Sequence, residues 1–179
     1  LRRLPLLFGL TGIAAIAAVV AFVVPLAQLG ASLLLVQRVR RDDYPLDDAF
    51  ATAFTMLIVG GVVASLITVG GVALVPGLSV SATAWLCAGE LLGGATTSLC
   101  AYTAIAAGRL RVYAQTTTIL TGVRVAAAIV LLSTGSTSVV RWALLQAIAL
   151  SVTGGVILVR TRRTFGVHRT WARIRRPDV

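Results

Sequence analysis

The sequence predicts an all-α integral membrane protein of about five transmembrane helices, and three observations carry that prediction. Of 179 residues, 58% are hydrophobic and only 12% charged, against roughly a quarter charged in soluble domains; the mean hydropathy is +0.94. Residues 4–37 and 49–89 contain no Asp, Glu, Arg or His. The second run would make a helix about 60 Å long at ~1.5 Å per residue. A hydrocarbon layer is ~30 Å thick, so that run must fold back on itself. Finally, the apolar stretches lack the alternating pattern of barrel strands.

Apolar length and breakers place the spans. The first lies within 6–36, with Pro25 and Gly30 loosening its second half. The second covers 49–74 and closes at Pro76-Gly77, the turn that the long charge-free run requires. The third covers 82–106. The fourth covers 116–132 and ends at the Ser133-Thr134-Gly135-Ser136-Thr137-Ser138 turn; the fifth covers 139–159. Residues 1–160 thus form the bundle and 161–179 a basic tail. In the tail Val167, Trp171 and Ile174 share one helical face, and Arg169, Arg173 and Arg176 the opposite one. That is the pattern of an amphipathic helix on the inner membrane surface, either as a positive-inside anchor or as a collector of anionic lipid.

All sixteen basic residues are Arg, and their placement sets the orientation. Arg38, Arg40 and Arg41, then Arg109 and Arg111, then seven in the tail fall on one side; Arg2, Arg3 and Arg141 fall on the other. The richer side is cytoplasmic, which puts the N-terminus outside and the C-terminus inside. The chain starts with Leu1, and its single Met, Met56, lies within a span. Together with the outside N-terminus, this suggests a fragment that has lost one earlier span, or an unusual start codon.

Composition narrows the chemistry. The single histidine, His168, lies outside every span, so no His-based triad or His-rich metal site forms in the membrane. No Walker, dinucleotide-binding or nucleophile-elbow motif is present. The net charge of +10 flanks the spans rather than forming a nucleic-acid surface. No catalytic residue, metal or cofactor is expected. Asp42, Asp43, Asp47 and Asp48 read as a loop and helix start, with Asp47 or Asp48 as cap. Cys87 and Cys100 read as small buried hydrophobes. Gly89 and Gly93 form a GxxxG pattern that permits close helix approach.

Two charges interrupt the spans: Glu90 in the third and Arg124 in the fourth. A charge at the bilayer centre costs roughly 2.5–3.5 kcal/mol on insertion scales, so each needs a partner or a wet cavity. Antiparallel packing sets Glu90 opposite about Ala127, within reach of Arg124. Each continues a polar or small stripe: Thr83, Glu90, Gly94 and Thr97 on the third span, Thr117, Thr121, Arg124 and Ala128 on the fourth. Gln146 and Thr153 form a weaker stripe on the fifth. Three readings stand open: an ion pair that only fixes packing, a substrate or ion path through Glu90, Arg124, Thr97, Thr117, Thr121 and Gln146, or one of the two charges snorkelling to the membrane surface.

The order of features resembles polysaccharide flippases, the O-antigen (Wzx-type) branch of the multidrug/oligosaccharidyl-lipid/polysaccharide exporter superfamily. Phe8-Gly9, Pro25-Leu26-Ala27-Gln28-Leu29-Gly30 and Val36-Gln37-Arg38 resemble that family's second span. Gly108-Arg109-Leu110-Arg111 with the following Arg124 is similar to its fourth-to-fifth-span region, and Arg175-Arg176-Pro177-Asp178-Val179 to the lead into a seventh span. The resemblance implies most of one six-helix lobe of a two-lobed exporter in the bacterial cytoplasmic membrane. It implies an undecaprenyl-pyrophosphate-linked oligosaccharide as substrate, for lipopolysaccharide or another surface polysaccharide, with membrane lipid and a second lobe as partners. The alternatives are a drug or small-solute exporter of the same superfamily, a non-catalytic assembly subunit and, less favoured, a polysaccharide polymerase or ligase.

Overall fold

A computed structural model describes residues 28, 30–41, 44–75, 77–134 and 138–168. Their regular structure is entirely helical. Helix α1 (Ala31–Arg41) is followed by α2 (Leu46–Ala73). Next come α3 (Val80–Gly89), a π-helical segment (Glu90–Ala95) and α4 (Thr96–Ala106). Backbone angles stay helical across both junctions, so these three pieces form one rod. Helices α5 (Leu110–Ser133) and α6 (Val139–Phe165) complete the chain. Three of them, α2, α5 and α6, are long and apolar enough to cross a membrane, as in a multi-pass membrane protein.

The ends of these helices follow from local chemistry. Ser79 and Ser138 cap α3 and α6, each side chain accepting from the amide three residues on. Gly108 and Gly166 adopt left-handed backbone with φ of 74° and 67°, where a Cβ would be strained. Each is followed by an amide that bonds back into the last turn: Arg109 to the Ala104 carbonyl and Val167 to that of Arg162. Helix α2 differs from expectation. It begins at Leu46 after Pro45 without a side-chain cap, and Asp47 and Asp48 sit in its first turn. Their charges complement the positive helix end there. Asp47 also accepts a hydrogen bond from the His168 amide at 2.9 Å.

The rod is the centre of the bundle. Helices α1 and α2 pack along one side and α5 and α6 along the other. Toward the arginine-rich end the core joins Leu35, Phe50, Leu57, Leu99 and Ile157; toward the other end it joins Ala82, Leu86, Cys87 and Ala143. Both cysteines are free and buried. Outside this core the surface is apolar: Leu66 and Ile67 are 68% and 69% exposed, as are many other aliphatic side chains. Such a surface suits hydrocarbon and not water.

Two expected boundaries move. Helix α5 starts at Leu110, ahead of the predicted residue 116. Helix α6 runs to Phe165, so the first residues of the predicted tail belong to the long helix. Val167, assigned to a membrane-facing tail surface, is 1% exposed and sits in the core. It follows Gly166, whose turn sends the chain back over the bundle. Arg169, Trp171, Arg173 and Arg176, and most of the predicted first span, lie outside the described residues.

Candidate functional site

Glu90 opens the π-helical segment near the middle of the rod, and Arg124 lies near the middle of α5. Arg124 Nη2 donates to Glu90 Oε2 at 2.6 Å, a salt bridge. A second contact supports the same antiparallel register: Tyr102 and Tyr113 meet edge to face, with centroids 6.2 Å apart. Twelve residues up the rod correspond to eleven back along α5, which brings Arg124 nearly level with Glu90. The sequence reading had set them about one turn apart; the expected pairing is present all the same.

The π segment shapes the site. Its wider turn is seen in the Thr96 hydroxyl, which reaches the Leu91 carbonyl five residues back at 3.4 Å. Such segments recur at functional positions. Gly94 makes room for the pair. A Cβ there would strike Glu90 Oε2 and come within 3.4 Å of Arg124 Nη2. Burial is uneven: the Glu90 side chain is 14% exposed and that of Arg124 43%. The carboxylate is therefore held inside the bundle while the guanidinium stands at its surface.

Other predicted site residues divide. Thr117 and Thr121 lie on the Arg124 helix, beside an open groove of about 590 Å³ that continues along Gly122, Val125 and Ala126. That groove faces away from the bundle, and only 11% of the apolar window of α5 is buried. Their hydroxyls donate to main-chain carbonyls of the preceding turn, Thr117 to Tyr113 and Thr121 to Thr117. The threonine stripe is thus not a row of free donors, because hydroxyls without water turn back on their own helix. Thr83 and Thr153 do the same. Thr97 is 1% exposed, and its hydroxyl has no hydrogen-bond partner among the described residues. Gln146 is buried on α6, the helix the sequence reading gave it. Thr117 and Thr121 thus border the outer groove, while Thr97 and Gln146 are buried.

The glycines do what their spacing suggested. Gly89 packs against Ala147, Gly93 against the Leu150 backbone, and Gly154 against Gly93. Contacts advance in the same direction along both elements, so the rod and α6 run parallel with their backbones nearly touching. The sequence reading missed the π segment, the contact with Gly154, and a cleft between α5 and α6 described below. Gly93-Gly94 and Gly154-Gly155 were the available signals for the first two.

Among the described residues no three His, Cys, Asp or Glu side chains gather as metal ligands. Comparison with known protein families, curated proteins and solved structures finds no match to this chain.

Proposed function

We propose that the chain is part of a membrane transporter, one lobe of a flippase or exporter for a lipid-linked oligosaccharide in the bacterial cytoplasmic membrane. One observation supports this above the rest: the Glu90–Arg124 pair sits at mid-helix, and the Arg124 side chain is 43% exposed on α5, a helix that the bundle covers poorly. Hydrocarbon is an unfavourable neighbour for that group by several kcal/mol. The face therefore borders water or further protein, as the cavity wall of a two-lobed transporter does. An exposed guanidinium in a low-dielectric wall binds phosphate or acidic sugar bidentately. Glu90 competes for the same guanidinium and limits that attraction.

The lipid-linked substrate, the second lobe and the five-span topology with outside N-terminus rest on the sequence resemblance and the arginine count. A non-catalytic assembly subunit is the second reading, favoured by Thr118, Gly122 and Ala126, which repeat every four residues along the groove and suit close helix docking.

Complementation separates the two. In a strain lacking its flippase, the intact parent protein should restore surface polysaccharide. Arg124→Lys should retain part of the activity, and Arg124→Ala at equal membrane abundance should lose most of it. Full complementation by Arg124→Ala would refute the substrate role.

A further inference from the structure

The arginines at the basic end fall into two groups. Some are engaged: Arg38 over the Tyr44 ring, Arg40 on the Ile105 carbonyl at 3.0 Å, Arg162 on the His168 carbonyl at 3.0 Å. Arg160 is not: it is exposed and makes no hydrogen bond or ion pair among the described residues. It lines a small cleft between the start of α5 and the end of α6. The exposed side chains of Gln115 and Thr164 line the same cleft, also without hydrogen-bond partners among the described residues. Arg109 stands at its edge, its guanidinium 5.4 Å from the ring centroid of Phe165, another lining residue. A guanidinium stacked on a ring keeps its N–H edge available.

We infer that this cleft binds the phosphate of an anionic phospholipid headgroup. Three donor groups line it, the Arg160 guanidinium, the Gln115 amide and the Thr164 hydroxyl, and the Arg109 guanidinium adds positive charge from its seat on the lining Phe165 ring. The enclosed part is only about 50 Å³, room for a phosphate oxygen to enter while the rest of the headgroup stays at the mouth. Phospholipid fits better than free phosphate because the surface changes character away from the basic end. Val156 and Val152, one and two turns from Arg160 on α6, are 63% and 62% exposed, and Ile119 continues the cleft along α5. Polar donors at the membrane boundary followed by an apolar track match a headgroup followed by its acyl chain. Basic pockets between membrane helices take such headgroups. The inference is separate from the transport proposal and requires only that α5 and α6 cross a bilayer.

Native mass spectrometry of the full chain, released from nanodiscs of mixed phosphatidylglycerol and phosphatidylcholine, tests it. The wild type should retain phosphatidylglycerol preferentially. Arg160→Gln should reduce that retention about tenfold, the scale of one charge-assisted hydrogen bond. Arg160→Lys should recover part of it. Thr164→Val, at an exposed position, gives a second and smaller loss. Arg141→Gln removes the same charge at the opposite end of α6 and should change nothing. Equal retention of both lipids by the wild type, or equal losses for Arg141→Gln and Arg160→Gln, overturns the site. Displacement of phosphatidylglycerol by millimolar inorganic phosphate would overturn the phospholipid as occupant.

Discussion

Three glycine-to-alanine changes within the bundle should have three different outcomes, because the added methyl meets a different object in each. At Gly93 it meets the carbonyl carbon and oxygen of Leu150, main-chain atoms of a packed helix that cannot swing aside. At Gly94 it meets the carboxylate of Glu90, the end of a flexible side chain. At Gly155 it meets nothing within 4 Å. Alanine gains up to about 1 kcal/mol of helix propensity at each position. Overpacking costs roughly 1–3 kcal/mol, and backbone contact puts Gly93 at the upper end. Gly93→Ala should therefore lose about 1–2 kcal/mol net, while Gly155→Ala is neutral or slightly stabilised. Gly94→Ala lies between, since it displaces one charge-assisted hydrogen bond worth about 1.5–3 kcal/mol, at the lower end because Arg124 is partly exposed. The assay is unfolding of the full chain in mixed micelles, followed by circular dichroism and by fluorescence of Trp85 and Trp142. A Gly93→Ala midpoint indistinguishable from that of Gly155→Ala would refute the close approach of the rod and α6.

Further expectations follow from the same geometry. Glu90→Gln and Arg124→Gln should each destabilise the chain more than the double change, because one charge is left alone in the bundle; additive losses in a double-mutant cycle would show the pair to be uncoupled. Asp47→Asn weakens the acceptor for the His168 amide, so a spin label at His168 should gain mobility; an unchanged spectrum removes this tether. Impermeant maleimide applied outside intact cells should label Ser136→Cys and not Arg40→Cys, with native Cys87 and Cys100 unreactive in the fold. The reverse labelling pattern would invert the topology.

Much of the fold was legible because hydropathy and turn chemistry act locally. Pro76-Gly77 and the run from Ser133 to Ser138 part apolar stretches whatever the rest of the chain does, whereas the Ser79 cap and the Gly108 turn were not read from the sequence. The Glu90–Arg124 pair was legible for a different reason: two isolated opposite charges on successive apolar helices have few other ways to be neutralised. The limits are equally physical. Periodicity fixes which residues share a face of a helix but not what that face meets, so Gln146 and Thr117 looked alike although one is buried and the other borders an open groove. Likewise, a π turn leaves no periodic trace over six residues. The early start of α5 was hidden because Arg109 and Arg111 break the apolar run, although arginine is a good helix former.

The transport proposal requires that the Arg124 face of α5 border an aqueous cavity rather than lipid, and thiol accessibility measures this directly. Single cysteines at Thr117, Thr121 and Arg124, in the protein in membranes, would be exposed to a charged, membrane-impermeant methanethiosulfonate. Cysteines at Ile67 and Val156, exposed on the apolar surfaces of α2 and α6, serve as the lipid-facing reference. If the face lines a hydrophilic cavity, the α5 positions react substantially faster than both references, and phosphate-bearing amphiphiles slow the reaction at Arg124→Cys. Reaction at all three α5 positions as slow as at Ile67→Cys and Val156→Cys would contradict an aqueous path along α5.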